Sequence, residues 1–143
     1  MTNEQINYLA QLHTGQWFGF NGEQTYENLW VKGHDKPTLQ EIEDGIIEMG
    51  VSLWRKSASL SRRRFKIGEA LYTHNGTPLV ELIEALLAGL PEPQKTVATI
   101  AYNESGRFDR LDQFVVDFSQ ALGMSEEQVD EFFRFCIDEE WNQ

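Results

Sequence analysis

The side chains best suited to chemistry in this sequence are three histidines and one cysteine, and their spacing does not build a recognised site. His13, His34 and His74 are far apart in sequence, and none has a second metal ligand at i+3 or i+4. His34 and Asp35 could form half of a catalytic relay, but no serine or cysteine lies in a nucleophile-elbow context. We therefore place the histidines on the surface or in loops, and we predict neither a metal site nor a cofactor.

The lone cysteine, Cys136, is predicted to be a core residue rather than a nucleophile. It belongs to a helical stripe with i, i+3, i+4, i+7 and i+8 spacing, formed by Val129, Phe132, Phe133, Cys136 and Ile137. The P-loop, dinucleotide and zinc motifs are missing, and carboxylates paired for glycoside hydrolysis can be recognised only in three dimensions. The sequence therefore favours a protein that is not an enzyme.

Charge is distributed unevenly along the chain. Twenty-three acidic residues against twelve Lys and Arg give a net charge of −11, which repels phosphate backbones and membrane surfaces. Residues 53–67, here called the basic island, contain no acid and six bases: Arg55, Lys56, Arg62, Arg63, Arg64 and Lys66. The island suits an acidic protein surface, a neighbouring copy of the chain or, more weakly, a phosphate. The three consecutive arginines are equally compatible with solvated charges in surface ion pairs.

The stretch from Ala121 to Phe135 has the outline of a helix-turn-helix, because one helix ends at Gly123 and Ser125 begins the next. A recognition helix needs Arg, Lys, Asn or Gln against bases and phosphates. From Ser125 to the end, however, the chain has seven acids and one arginine, so the main affinity term for DNA has the wrong sign. We therefore predict ordinary helix-helix packing here, and the charge disfavours nucleic acid as a partner.

The elements indicate a mainly α fold with about five to six short helices and a small N-terminal β element. The first helix covers "NEQINYLAQLH", and "QWFGF" can pair as a strand with "TYENLWVK". Thr38 and Glu41 have capping-box spacing, and the helix that follows stops at Gly50 or continues to about Lys56.

The remaining helices are placed by their start and stop residues. One begins after Ser61 and turns Phe65, Ile67, Ala70 and Leu71 toward a core, and "HNG" ends it. Thr77 as N-cap with Pro78 at the first helical position starts the next. The helix "QKTVATIAYNE" should bury Val97, Ile100 and Ala101. Asp112 should cap the next helix, "QFVVDFSQALG". Ser125 with Gln128 should form a second capping box before the last helix, "EQVDEFFRFCIDEEW".

Aromatic residues reach 12% of the chain, which exceeds what one core needs and suggests that some lie at an interface. We divide the chain into a docking arm, residues 1–36, with the N-terminal helix and an aromatic β segment, and a helical domain, residues 37–143. A two-stranded ribbon is marginal in water, so the arm should lean on a helix or on another chain. The predicted partner-binding residues are Trp17, Phe18, Phe20, Trp30, Trp54, Arg62, Arg63 and Arg64.

Membrane insertion is not expected from the sequence. No apolar run approaches the ~20 residues that span a bilayer. The first residues lack a basic stretch followed by an apolar one, so we expect the mature protein to begin at Met1 in a cytosol.

Several stretches together resemble the small proteins encoded beside tail-fibre and host-recognition genes in tailed bacteriophages and prophages. In that group an aromatic strand ending in Trp leads to "KPT" and a helix, and a "SRRxF" helix precedes a "P…IAxxExxxFxR" helix and a closing "LGxxxxQxDxxF" pair. The residues that fit, within about residues 26–135, are Trp30, Lys36, Pro37, Thr38, Arg63, Phe65, Ala101, Glu104, Phe108, Arg110, Leu122, Gly123, Gln128, Asp130 and Phe133. The segment "MTNEQINYLAQLHTGQWFGFNG" has no counterpart there.

The resemblance implies a structural or chaperoning role. The expected partners are other phage tail proteins, fibre or baseplate, and the expected location is the host cytoplasm during assembly and then the virion tail. Two alternatives stay open: an assembly chaperone absent from the virion, and a phage-encoded regulator acting on a nucleic acid or a nuclease, whose acidic helices would mimic DNA or whose arginines would touch phosphate.

Overall fold

The computed structural model describes residues 1–138 and contains seven helices and six short strands in that range. The helices are α1 (Asn3–Leu12), α2 (Leu39–Ser57), α3 (Arg62–Leu71), α4 (Leu79–Gly89), α5 (Gln94–Glu104), α6 (Gln113–Ala121) and α7 (Glu126–Asp138). The strands are β1 (Phe18–Phe20), β2 (Leu29–Val31), β3 (Ser59–Ser61), β4 (Thr73–His74), β5 (Thr77–Pro78) and β6 (Arg107–Asp109). The mainly α prediction is confirmed, with slightly more helices than the five to six expected. The predicted end of the last helix, "EEW", lies outside the described residues.

The chain divides into two compact units, residues 1–53 and residues 54–143. The division therefore falls inside α2, whereas the sequence suggested one near residue 36. Within the described residues no helix combines the length and the apolar content that crossing a bilayer requires.

The N-terminal unit is built from α1, the β1–β2 ribbon and most of α2. The ribbon is antiparallel with Gly19 opposite Trp30, which confirms the predicted pairing of the two aromatic segments. Its core consists of Leu9, Trp17, Leu29 and Ile42. The ribbon thus leans on helices of its own chain, as a marginal two-stranded element requires.

Two predicted capping boxes are confirmed. Thr38 Oγ1 accepts a hydrogen bond from the Glu41 amide while the Glu41 carboxylate accepts one from the Thr38 amide, and Ser125 and Gln128 make the equivalent pair. Helix α2 continues through Gly50 to Ser57, which decides between the two ends that the sequence left open. A glycine inside a helix costs only about 1 kcal/mol relative to alanine, which is too little to end a helix of 19 residues.

The start of α4 differs from the prediction. Thr77 and Pro78 form β5, which pairs with β4 in a tight hairpin, and Pro78 is the N-cap residue without a side-chain cap. Asn75 and Gly76 have φ values of 51° and 81°, the left-handed geometry of an Asn-Gly hairpin turn. The letters "HNG" therefore mark a hairpin as well as the end of a helix.

The C-terminal unit has a core of apolar side chains from α3, α4, α6, α7 and the β3–β6 pair, with Leu60 opposite Phe108. Phe65 and Cys136 are fully buried, as predicted. Other predictions of burial are wrong: Ala70 is exposed, Ile67 is only half-buried, and Leu71, Val97 and Ile100 are 55%, 66% and 55% exposed. Asp112 occupies the N-cap position of α6, but its carboxylate accepts the Asp109 amide instead of capping the helix.

Candidate partner-binding site

Trp17 is a core residue of the N-terminal unit. Its side chain is 4% exposed, and its Nε1 donates a hydrogen bond of 2.9 Å to the carbonyl of Leu9. A buried indole needs such a partner for its N–H, and here α1 provides it. The interpretation of Trp17 as an accessible docking residue is therefore corrected: it anchors β1 to α1.

The other aromatic side chains of the ribbon are more accessible. Phe18 and Phe20 are half-buried against the same core. Trp30 is 37% exposed, and its ring covers Gly19 on the opposite strand so closely that a Cβ at that glycine would lie 2.5 Å from the ring. Trp30 stabilises the ribbon through this cross-strand contact, and it is the one tryptophan among the described residues that is classed as exposed.

Trp54 and the three arginines of α3 lie in the C-terminal unit. Trp54 is half-buried under the guanidinium of Arg134, which lies 4.2 Å from the ring centroid. Arg62 and Arg63 are exposed and Arg64 is half-buried, and none of the three forms an ion pair with another described residue. Their role in partner binding stays a prediction.

The basic island is not a uniform free patch, because two of its six members are engaged within the unit. Arg55 binds Asp130 through three hydrogen bonds of 2.7–3.1 Å. Lys66 lies 3.0 Å from the ring centroid of Tyr102 and 3.5 Å from the carboxylate of Glu69. The charges left for a partner are therefore Lys56 and the three arginines at the start of α3.

Asp130 is the centre of a buried charge network that sequence reasoning did not identify. Besides Arg55, its carboxylate accepts a 2.8 Å hydrogen bond from Arg110 Nε, and the Arg110 side chain is only 2% exposed. Arg110 also donates to the carbonyl and the carboxylate of Glu126. Burial alone would raise the pKa of Asp130, but the hydrogen bonds from the two arginines hold it below its ordinary value. The network joins the end of α2, the segment after β6 and the start of α7.

A second buried polar cluster contains Glu69, Tyr102 and Lys66. The Tyr102 hydroxyl donates a 2.5 Å hydrogen bond to Glu69 Oε1, while Glu69 Oε2 is buried with no hydrogen-bond partner among the described residues. Burial raises the pKa of Glu69 and outweighs the attraction of Lys66, and burial also lowers the pKa of Lys66. This cluster is enclosed by α3 and α5, with Glu69 1% and Tyr102 4% exposed. It is placed to act on the stability of the fold, not on a substrate.

Replacing Glu69 by glutamine should favour folding by roughly 1 kcal/mol more at neutral pH than in acid, because the amide oxygen still accepts from Tyr102 and carries no charge to desolvate, while the cost of the buried amide N–H at the Oε2 position is the same at both pH values. The folded-state pKa of Glu69 is raised, so its contribution is fully present below the unfolded value near 4.3 and is lost as pH rises through the folded value. Urea unfolding of the wild-type and E69Q proteins at several pH values measures the difference between their free energies of unfolding. This difference should grow from acid to neutral pH. A constant difference would contradict this assignment.

Two of the three histidines lie against each other. The rings of His13 and His34 are stacked with centroids 3.6 Å apart and planes 2° apart, and both contact the edge of Trp17. No group of three or more His, Cys, Asp or Glu side chains that could hold a metal ion occurs among residues 1–138. His74 is buried, with its Nε2 3.1 Å from the carbonyl of Leu122.

The C-terminal unit has an open apolar groove of about 620 Å³ between α4, α5 and α6. Its floor contains Ile83, Leu87 and Phe118, which are 1%, 8% and 5% exposed, and Val97 stands at its lip. Among the described residues that line it, only Gln94 and Asp117 have polar side chains. A groove of this size and composition is typical of a binding site.

Sequence reasoning missed this groove because it expected Val97 and Ile100 to be covered. The helix "LVELIEALLAG" contained a signal, since its apolar residues spread over more of the helix surface than one neighbouring helix can cover. That its neighbours leave a groove open between α4, α5 and α6 could be seen only in the structure. No family model matches this chain, and no curated protein and no solved structure shows significant similarity to it.

Proposed function

We propose that this protein is a tail-associated structural adaptor of a tailed bacteriophage, which docks on a fibre or baseplate subunit and has no catalytic role. The observation that carries the docking part is the open apolar groove of the C-terminal unit. The phage setting rests on the resemblance of the sequence to proteins encoded beside tail-fibre genes.

The exposed apolar surface around the groove supports a binding role. Val97 and Ile100 are more than half exposed on one helix, and Leu90 is 36% exposed at the end of the preceding helix. Single exposed apolar residues are common, but a contiguous apolar groove on a soluble unit marks an interaction site. Burying such surface contributes about 25 cal/mol per Å², so a partner that fills the groove gains substantial affinity.

Replacing Val97 by aspartate should remove the protein from its partner while leaving the fold intact. A charged side chain at the lip would have to be desolvated on docking, and the expected loss of affinity is at least about tenfold. Mass spectrometry of purified particles should detect the wild-type chain in a fixed ratio to the tail proteins, and the V97D chain in much lower amounts.

The matched control is Leu111→Asp, which puts the same charge at another half-exposed apolar position of the same unit, outside the groove. It should enter particles normally. If the wild-type chain is bound to a tail protein in infected-cell lysate but is missing from purified particles, the protein is an assembly chaperone and not a structural adaptor. Equal incorporation of the wild-type and V97D chains would refute docking through the groove.

A further inference from the structure

The charges around the apolar groove are mainly negative. Asp117 lines it, Glu92 immediately precedes the lining residue Pro93, and Glu104 lies two helical turns after Val97, on the same face of α5. All three are exposed, and none forms an ion pair with another described residue. The groove is therefore an apolar floor with an unneutralised acidic rim.

One lysine borders this rim. Lys95 follows the lining residue Gln94 and lies one helical turn before the lining residue Ala98, and it forms no ion pair with another described residue. One base thus stands beside three acids, so the rim keeps a net negative charge. Two of the acids near the groove accept hydrogen bonds from neutral groups. The Thr96 hydroxyl donates to the Glu92 carboxylate, and the Gln113 amide donates to the Asp117 carboxylate. None of the three carboxylates is thus bound by a cationic side chain of another described residue.

The rim argues against anionic apolar ligands. Fatty acids and most membrane lipids carry a carboxylate or a phosphate, which Asp117 and Glu104 would repel. Among the described lining residues no cationic side chain could hold such a headgroup. An apolar ligand that complements the rim must carry positive charge.

The length of the groove fits a short helix. Helix α5, one of its walls, has 11 residues and is about 16 Å long. That length matches three apolar anchors at i, i+3 or i+4, and i+7, which is the spacing of helices that bind in grooves. Glu92 lies two residues before the first residue of α5 and Glu104 is its last residue, so each end of a bound helix would meet a carboxylate.

We infer that the groove between α4, α5 and α6 binds a cationic amphipathic helix of a partner protein, with apolar anchors on the floor and Lys or Arg at both ends against the acidic rim. The inference rests on the proposed docking function and adds the chemistry of the partner. Burial of the anchors supplies affinity, and the rim selects the charge of the partner and speeds its association.

The test uses the full chain and labelled synthetic peptides of about 18 residues, long enough for a stable bound helix. One peptide has leucine anchors at the stated spacing with lysines at both ends, the second replaces the lysines by glutamates, and the third scrambles the first. Fluorescence anisotropy should show binding of the first peptide only, and circular dichroism should show a gain of helix. Raising the salt from about 50 to about 300 mM should weaken the binding.

The variants separate the rim from overall charge. Asp117→Lys together with Glu104→Lys should weaken binding of the lysine peptide at least about tenfold and should improve binding of the glutamate peptide. Glu81→Lys is the matched control, because Glu81 is an exposed residue of α4 that does not line the groove, and it should change binding little.

Three results would overturn the inference: equal binding of the two charged peptides, unchanged binding after Val97→Asn, which removes an apolar contact without adding charge, or displacement of the lysine peptide by a fatty acid at lower concentration. The peptide assay is independent of phage particles. If the lysine peptide binds but no tail protein does, the adaptor function is wrong and the inference about the groove holds. If a tail protein binds outside the groove, the adaptor function holds and the inference about the groove is wrong.

Discussion

Replacing Asp130 by asparagine should lower the free energy of unfolding by roughly 3–5 kcal/mol at neutral pH. Asparagine has nearly the same shape, so the loss comes from the charge and not from a cavity. The carboxylate now compensates Arg110, which is 2% exposed, and Arg55, whose side chain is 21% exposed. Asparagine keeps one oxygen that can accept from one of the two arginines, but it presents an N–H donor to the other and brings no negative charge, so the exposed carboxylate of Glu126 is the one acid left beside Arg110 among the described residues.

The pH dependence of this effect has a definite sign. The folded-state pKa of Asp130 is lowered, so its stabilising contribution is present above the unfolded value near 3.9 and is lost as pH falls through the folded value. The difference in unfolding free energy between wild type and D130N should therefore be constant near neutral pH and should narrow in acid. The Glu69 substitution has the opposite effect. As pH rises from acid to neutral, the free energy of unfolding of E69Q should increase relative to wild type, and that of D130N should decrease.

Glu126→Gln is the control for the Asp130 variant. Glu126 contacts the same two arginines, at 3.2–3.4 Å, but its side chain is 65% exposed, so the change should be within about 1 kcal/mol. Chemical denaturation followed by far-ultraviolet circular dichroism measures all three proteins. If D130N and E126Q lower the free energy of unfolding by similar amounts, burial of the charge network does not determine how much it stabilises the fold.

The sequence predicts the elements of this fold better than it predicts their surroundings. Helix starts such as Thr38 and Ser125 are local, because the cap and the amide that it binds are three residues apart, and both were predicted correctly. The stripe around Cys136 was also informative, since five apolar residues at helical spacing leave one face that must be buried.

What sequence reasoning could not supply is which face of a helix has a neighbour. Val97 and Ile100 have the spacing of core residues, but the structure leaves both at a surface because only one side of α5 is covered. The pairing of Arg110 with Asp130 joins positions twenty residues apart, and a charged residue that will be buried has no local pattern that distinguishes it from a solvated one. Trp17 was misplaced for the related reason that its glycine-rich surroundings indicate a loop, while the carbonyl that accepts its N–H lies on α1.

Replacing Gly68 by alanine should destabilise the C-terminal unit by roughly 2–3 kcal/mol. A Cβ at this position would overlap the Sγ of Cys136, so α3 and α7 can approach as they do only because residue 68 has no side chain. In an exposed helix the same change would stabilise by about 1 kcal/mol, so the steric term must exceed this gain. Gly50→Ala shows that gain alone, because nothing lies within 4 Å of a Cβ there, and it should be stabilising.

A double-mutant cycle tests whether Cys136 is the cause of the clash. Cys136→Ala removes the sulfur and leaves its own Cβ 3.2 Å from the new methyl group, a contact that a shift of a few tenths of an ångström relieves. The single C136A variant should lose about 1–2 kcal/mol from the cavity, but in the G68A background the same change should be neutral or stabilising. The coupling energy should therefore be at least about 1 kcal/mol. Additive losses would mean that α3 and α7 separate under the first substitution, and that their contact at residue 68 does not fix the distance between them.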